Sequence, residues 1–351
     1  MTIQQLLELA VDRKASDLHL VVGYPPMLRI HGDLLPIPGT QPLSDGEMAA
    51  LVLSTLTPIQ KHTFDTTFEL DFALSLPNKS RFRVNIFKQQ GHLGADFRLI
   101  PLVIPDLDML GLPPAVAKLT ELRQGLILVT GPTGHGKSTT LASMINRINL
   151  TRTAHVITIE DPIEYVYPRG NSLIAQREMY ADTKSWASAL RAALREDPDV
   201  VLVGEMRDYE TIAAAVTIAE TGHLVFATLH TNSAAQSIDR IIDAFPSNQQ
   251  PQIKIQLAAT LEAIISQRLI PMTSVGRVLA VELLLKIPAL SELIRSSKTH
   301  LIDNLIQTSG ELGMVNLETS LARLIKEGKI SLETAQTYSL RPDLLVKLVG
   351  G

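Results

Sequence analysis

Apolar residues recur every second position over much of the first hundred residues, and then the rhythm changes. Phe68, Leu70, Phe72 and Leu74 are spaced by two, with acids or alanine between them. That is the pattern of a strand with one buried face. Phe82, Val84 and Ile86 repeat it, with Arg81, Arg83 and Asn85 on the other face, and residues 95–100 predict a third such strand. Thr2 with Gln5, and Ser44 with Glu47, have the spacing of capping boxes, in which side chains satisfy the open amides of a helix start. They predict helices that bury Leu6, Leu7 and Ala10, and Met48, Leu51 and Val52. A strand is predicted over 17–22, and Gly23-Tyr24-Pro25-Pro26 turns it towards 27–30. Residues 1–100 therefore read as a small α+β domain. Pro101, Pro105, Pro113 and Pro114 mark 101–114 as an extended linker. From 115 onward, apolar runs at 126–129, 155–159, 199–203 and 223–229 alternate with helical stretches. Such runs read as parallel strands covered by helices. After 285 the pattern is mostly helical. Leu317, Leu321, Leu324 and Ile325 share a face, Gly328 can end that helix and Ser331 can start the next. Residues 115–351 read as an α/β domain with a helical C-terminal region.

The chemistry lies at the ends of those apolar runs. The first leads into Gly131-Pro132-Thr133-Gly134-His135-Gly136-Lys137-Ser138, followed by Thr139 and a helix-compatible run to 148. This fits the phosphate-binding pattern G-x-x-x-x-G-K-[ST], flanked as that pattern requires by a strand and a helix. Glycines let the backbone wrap closely around a phosphate. Its amides, at the positive end of the helix, hold negative charge. Lys137 can reach the outer phosphates, and the Ser138 hydroxyl can ligate Mg²⁺. The second run ends in Glu160-Asp161-Pro162-Ile163-Glu164. Carboxylates at the carboxyl end of such a strand can hold Mg²⁺ directly or through water. Glu160 is thus a candidate metal ligand and Glu164 a candidate catalytic acid. The third, Asp199-Val200-Val201-Leu202-Val203-Gly204-Glu205, resembles a Walker B strand. Glu205 could orient and deprotonate the water that attacks a γ-phosphate. The fourth lies between His223 and His230. His230, at its carboxyl end, could sense the γ-phosphate, whereas His223 fits a structural or interface role.

Composition narrows the classes. With 351 residues and 45% hydrophobic content the chain is globular, with core enough for two or three domains. A formal net charge of -4 and 4% aromatic residues argue against a nucleic-acid track or stacking platform. There is no cysteine, which excludes disulfides and thiolate zinc sites. No apolar run reaches the ~18 residues that a bilayer span needs. No signal peptide is visible. The expectation is a cytoplasmic protein whose attachment to a membrane is peripheral and made through partners.

Taken in order, these motifs resemble those of the secretion ATPase superfamily, the motors of type II and type IV secretion and of type IV pili. Residues 195–208 (REDPDVVLVGEMRD) and 220–234 (ETGHLVFATLHTNSA) carry the resemblance most specifically. Leu6-Leu7, Ala15-Ser16-Asp17-Leu18-His19-Leu20 and Arg81-Phe82-Arg83-Val84-Asn85 extend it over nearly the whole chain. The resemblance implies an N-terminal PAS-like domain, a flexible linker and a RecA-like ATPase core in a homohexamer, hydrolysing Mg-ATP at sites between domains. It also implies that arginines reach the nucleotide from the N-terminal domain or a neighbouring subunit, and Arg81, Arg83, Arg98 and Arg240 are the candidates by position. The chain begins at the PAS-like domain and has no four-cysteine zinc insertion, both of which point to the retraction branch. The expected role is then pilus disassembly through an inner-membrane platform protein, at the inner face of that membrane, with no nucleic-acid partner. Two departures stand out. His135 replaces the family's usual serine in the phosphate loop. A motif that the resemblance links to retraction aligns with 289–296, where Leu293, Ile294 and Arg295 are kept but an arginine and a glutamate give way to Ser291 and Ser296. An accessory retraction ATPase, a nucleotide-binding regulator and a nucleic-acid translocase remain alternatives.

Overall fold

A computed structural model describes residues 1–30, 32–76, 80–100 and 103–350. They form two compact units, one of Met1–Val103 with Pro162–Val166 and one of Ile104–Asp161 with Tyr167–Gly351.

The first unit opens with α1 (Ile3–Asp12), β1 (Asp17–Val21), β2 (Met27–Ile30) and β3 (Asp33–Pro36), and continues through α2 (Asp45–Leu53) and α3 (Pro58–Thr67). It closes with β4 (Glu69–Leu76), β5 (Ser80–Gln89) and β6 (His92–Ile100). Both expected capping boxes form, and Thr57 with Gln60 makes a third at α3. The strands join in the order β3-β2-β1-β6-β5-β4, antiparallel throughout. Leu18, Leu20, Phe82, Val84, Ile86 and Phe97 line one face and pack against Leu6 and Leu7 of α1, Met48 and Val52 of α2 and Phe64 of α3. On the other face the register sets Arg83 opposite Arg98 and Arg98 opposite Asp17. This is the expected PAS-like α+β domain, with one difference. Phe68 does not join the buried face. It ends α3 in the left-handed conformation (φ 62°), half exposed beneath the Lys88 ammonium, because the chain must reverse there before β4 can start.

In the proline-rich segment, Pro101 and Leu102 lie outside the described residues. Beyond them Ser143 Oγ donates to the Pro105 carbonyl, Arg147 pairs with Asp108 at 3.1 Å, and Leu107 joins the core of the second unit.

The second unit begins with α4 (Pro114–Leu119), β7 (Gly125–Thr130), α5 (Lys137–Thr151), β8 (His155–Glu160), β9 (Leu173–Glu178) and α6 (Trp186–Ala193). Next come β10 (Val200–Val203), α7 (Tyr209–Glu220), β11 (Leu224–Leu229), α8 (Ala234–Asp243), α9 (Gln250–Thr260), β12 (Leu261–Pro271) and β13 (Arg277–Leu285). The helices α10 (Pro288–Arg295), α11 (Ile302–Thr308), α12 (Leu317–Lys326), α13 (Leu332–Tyr338) and α14 (Pro342–Gly350) complete it. The sheet order is β13-β12-β7-β11-β10-β8-β9, parallel except for the edge pair β12 and β13. Every residue of β7, β10 and β11 is buried, as expected for strands covered on both faces. The phosphate-loop strand β7 lies between β12 and β11, so loops from several strand ends can converge on one place. This is a RecA-like α/β fold. The β12–β13 hairpin goes beyond the sequence pattern, since α9 runs into β12 without an intervening turn residue. Among the described residues no helix is long and apolar enough to cross a membrane.

Candidate nucleotide site

The site starts where β7 ends. Gly131, Gly134 and Gly136 all take positive φ (139°, 78° and 84°), a conformation that side chains disfavour. Gly131 is also held by space, because a Cβ there would lie 2.3 Å from the Gln267 carbonyl oxygen. The loop runs through Pro132, Thr133 and His135 and delivers its backbone to α5, whose N-terminus carries no side-chain cap. The amides of the first turn are therefore aimed outward with the helix dipole behind them. Lys137 is buried, and its Nζ donates to the carbonyls of Gly131 (2.8 Å) and Pro132 (3.0 Å). Ser138 and Thr139, both half-buried, follow in the same turn. A cradle of amides, a nested ammonium and a hydroxyl fits a polyphosphate, and it offers Mg²⁺ a hard oxygen ligand at Ser138.

Neighbouring strand ends supply the acids and the histidine. Glu160 Oε1 accepts from Thr158 Oγ1 at 2.7 Å and from Gln176 Nε2 at 3.2 Å, so its carboxylate is oriented before any ligand arrives. Gly204 lets the end of β10 pass close to β8, since a Cβ would lie 3.2 Å from the Glu160 Cα. One residue on, Glu205 Oε1 lies 2.8 Å from Arg207 Nε and 3.3 Å from His230 Nε2. The other ring nitrogen of His230, Nδ1, lies 3.3 Å from Thr133 Oγ1 in the phosphate loop. One imidazole thus links the loop to the acid. Burial alone would raise the Glu205 carboxyl. The hydrogen bond from Arg207 and the charges of His230, Arg207 and Lys137 outweigh it and hold the group below its ordinary value. Beside these groups is a cavity of about 540 Å³ whose lining includes Glu205, Arg207, His230, Asp239 and Arg240. Arg240 is exposed on α8.

The remaining candidates belong to other elements. Arg81, Arg83 and Arg98 belong to the first unit, and Glu164 lies in the stretch Pro162–Val166 that groups with it. Arg98 Nε holds the buried carboxylate of Asp17 at 2.9 Å, Arg83 lies 4.0 Å from Asp71, and Arg81 Nη1 donates to Ser75 Oγ at 3.4 Å. His223 Nδ1 lies within 3.1 Å of the Ile218 carbonyl and 3.0 Å of Thr221 Oγ1, a local tie at the end of α7. In the 289–296 motif, Leu290 and Ile294 face the core of the second unit. Ser291 Oγ donates to the Ala258 carbonyl at 2.8 Å.

Two residues escaped sequence reasoning. Arg207 stands two places after Glu205 in a loop, where spacing says nothing about pairing. Glu282 announces itself as a lone acid within the apolar run of β13, Val278-Leu279-Ala280-Val281-Glu282-Leu283. It is 2% exposed, and its Oε1 accepts from the Ala234 amide at the start of α8, shortly after His230. Burial pushes its carboxyl up to about 7 against the pull of that amide; Asp303 and Glu318 add to the rise and Arg341 opposes it. A raised value means that the fold binds this proton more tightly than the unfolded chain does. The contribution is complete below the unfolded value of 4.5 and lost as pH rises through about 7. Melting curves of the protein and of Glu282→Gln should show this. The stability advantage of the natural residue should shrink from about pH 5 to about pH 8, and a difference that does not change with pH would refute it.

Residues 97–333 match the family of type II/IV secretion system proteins. The chain is 45% identical over 343 residues to the type IV pilus retractation ATPase PilT of Pseudomonas aeruginosa, covering 98% of this chain and 99% of that one. It is 47% identical over 312 residues to a twitching motility protein of Neisseria gonorrhoeae, covering 89% and 83%. A crystal structure of the pilus retraction motor PilT with bound ADP superimposes with a TM-score of 0.92 at 45% identity, over 99% of both chains. The fold, the phosphate loop and these full-length similarities agree: the chain belongs to the type II/IV secretion system protein family, the secretion ATPases.

Proposed function

We propose that the chain is the ATPase of a homohexameric motor that retracts type IV pili. The observation that carries the motor chemistry is the His230 ring, which joins Thr133 of the phosphate loop to Glu205. A group so placed reports at the acid whether the loop holds a terminal phosphate. Lys137 would leave the carbonyls of Gly131 and Pro132 for the outer phosphates. Thr133 and the imidazole would follow, freeing Glu205 to orient the attacking water. Ser138, and Glu160 directly or through water, would hold Mg²⁺, which would supply neutralisation of phosphate charge. Arg81, Arg83 and Arg240 remain candidates to meet transition-state charge. Arg98 pairs through Nε with the buried Asp17 while the rest of its side chain stays exposed, so it too is a candidate. Glu164 remains a candidate acid. Closure around the nucleotide would become rigid-body motion of one unit against another.

Similarity to a retraction motor along the whole chain supports the pilus role. The partner would be a platform protein of the inner membrane, which the motor meets from the cytoplasm, with no nucleic acid involved. An accessory role beside a main motor is favoured by one observation. Ser291, where the retraction motif has arginine, turns its hydroxyl onto α9, which leaves no cation at that position for a partner.

Deleting the gene and counting surface pili tests the proposal. Hyperpiliated, non-retracting cells are expected, whereas bald cells would assign the chain to assembly. Retraction surviving deletion, at a reduced rate and dependent on a second ATPase, would select the accessory role.

A further inference from the structure

His135 is the one residue of the phosphate loop that departs from the pattern the chain otherwise follows, and the structure shows what its side chain meets. The ladder between β7 and β12 ends at Thr130 opposite Ser266. Beyond that point the Leu269 amide of β12 donates to His135 Nδ1 at 3.0 Å, and Gln267 Nε2 donates to the His135 carbonyl at 2.8 Å. Gly131 passes so close to the Gln267 carbonyl that a Cβ would lie 2.3 Å from it, and Arg277 Nη1 of β13 reaches the Gly134 carbonyl at 3.4 Å. The loop is thus fastened to the β12–β13 hairpin along its length, and the imidazole stands in for the acceptor that a longer β7 would have supplied.

We propose that His135 is a positioning residue, a clamp that holds the phosphate loop on β12 in its nucleotide-binding shape and releases it when the ring is protonated. This rests on the nucleotide site described above. Because Nδ1 accepts from an amide, the ring's proton is on Nε2 and the ring is neutral. A proton on Nδ1 would remove the acceptor and set a cation against the amide N–H. Burial disfavours that cation most, followed by the charges facing the ring: Arg268 on β12, Arg277 on β13 and Lys137 on α5. These hold the ring below its ordinary 6.5. The sign follows: the clamp is intact above 6.5 and lost as pH falls through the lowered value.

The test measures KM and kcat for Mg-ATP at about pH 8 and across the range below about pH 6.5, for the protein and for His135→Ala, His135→Asn and Lys137→Ala. Asparagine places an oxygen near the position of Nδ1 and does not titrate. One lost hydrogen bond predicts that His135→Ala raises KM about fivefold at pH 8, with kcat nearly unchanged. The natural protein should approach the alanine variant's KM in acid. His135→Asn should keep a low KM, showing only the pH dependence that belongs to the nucleotide itself. An alanine variant with unchanged KM, or an asparagine variant whose KM rises in acid as steeply as that of the natural protein, would overturn the clamp. Those results would leave the nucleotide site standing as long as Lys137→Ala still abolished turnover. Full turnover in Lys137→Ala would instead overturn the site and the clamp together.

Discussion

Lys137→Ala should lose ATP hydrolysis almost completely, by a factor of at least about 10² to 10³, the cost of removing a preorganised donor from developing phosphate charge. The ammonium is buried within the loop and already held by two of the loop's own carbonyls. The side chain is therefore prepaid in conformational entropy and needs only to exchange acceptors when phosphate arrives. The substitution leaves those carbonyls to water, a modest loss next to the core of the second unit, so the variant should fold. Melting curves would confirm folding, and a phosphate-release assay would confirm the loss. A folded variant that still turned over ATP at near the natural rate would remove the loop from the mechanism.

Glu205→Gln should separate binding from chemistry. Loss of a positioned acid–base group lowers kcat by about 10²- to 10⁴-fold, while nucleotide affinity should stay within a few-fold. Here the acid is held ionised by Arg207, His230 and Lys137 despite its burial. A lowered carboxyl is a weak base, so while these partners hold it, Glu205 does more to orient water than to take its proton. Its basicity rises once the terminal phosphate draws His230 and Lys137 away. The sign of its pH dependence follows from the same direction. In the free enzyme, kcat/KM should not decline on account of Glu205 until pH falls below the ordinary carboxylate range, whereas kcat should decline at a higher pH once His230 and Lys137 have turned to the phosphate. Rapid-quench kinetics with bound ATP would separate the steps, and a glutamine variant with normal single-turnover rates would place the chemistry elsewhere.

The strand-end places of the phosphate loop, the acids at 160 and 205 and His230 could be read from sequence because each follows closely on an apolar run. The capping boxes at Thr2 and Ser44 were readable as well, since three residues of spacing determine a local geometry. Contacts set by the tertiary fold were not readable. Phe68 fits an alternating pattern, yet the turn from α3 into β4 takes it out of the strand. Nothing between Thr260 and Leu261 marks the change from helix to strand, so the β12–β13 hairpin stays hidden. With it hidden, the side chain of His135 has no visible partner and serves only as another backbone amide. Arg207 is legible as a charge but not as the partner of Glu205. Glu282 is the case that could have been found, since an acid amid the apolar residues of a strand must meet a donor or keep its proton.

Retraction itself can be watched. In cells lacking the chromosomal gene, fluorescently labelled pili would be followed while the natural protein or Glu205→Gln is expressed at matched levels. The natural protein should restore shortening of individual pili, and the glutamine variant should leave them extended. Pili that retract at the natural frequency with Glu205→Gln as the sole copy would contradict the proposed motor function.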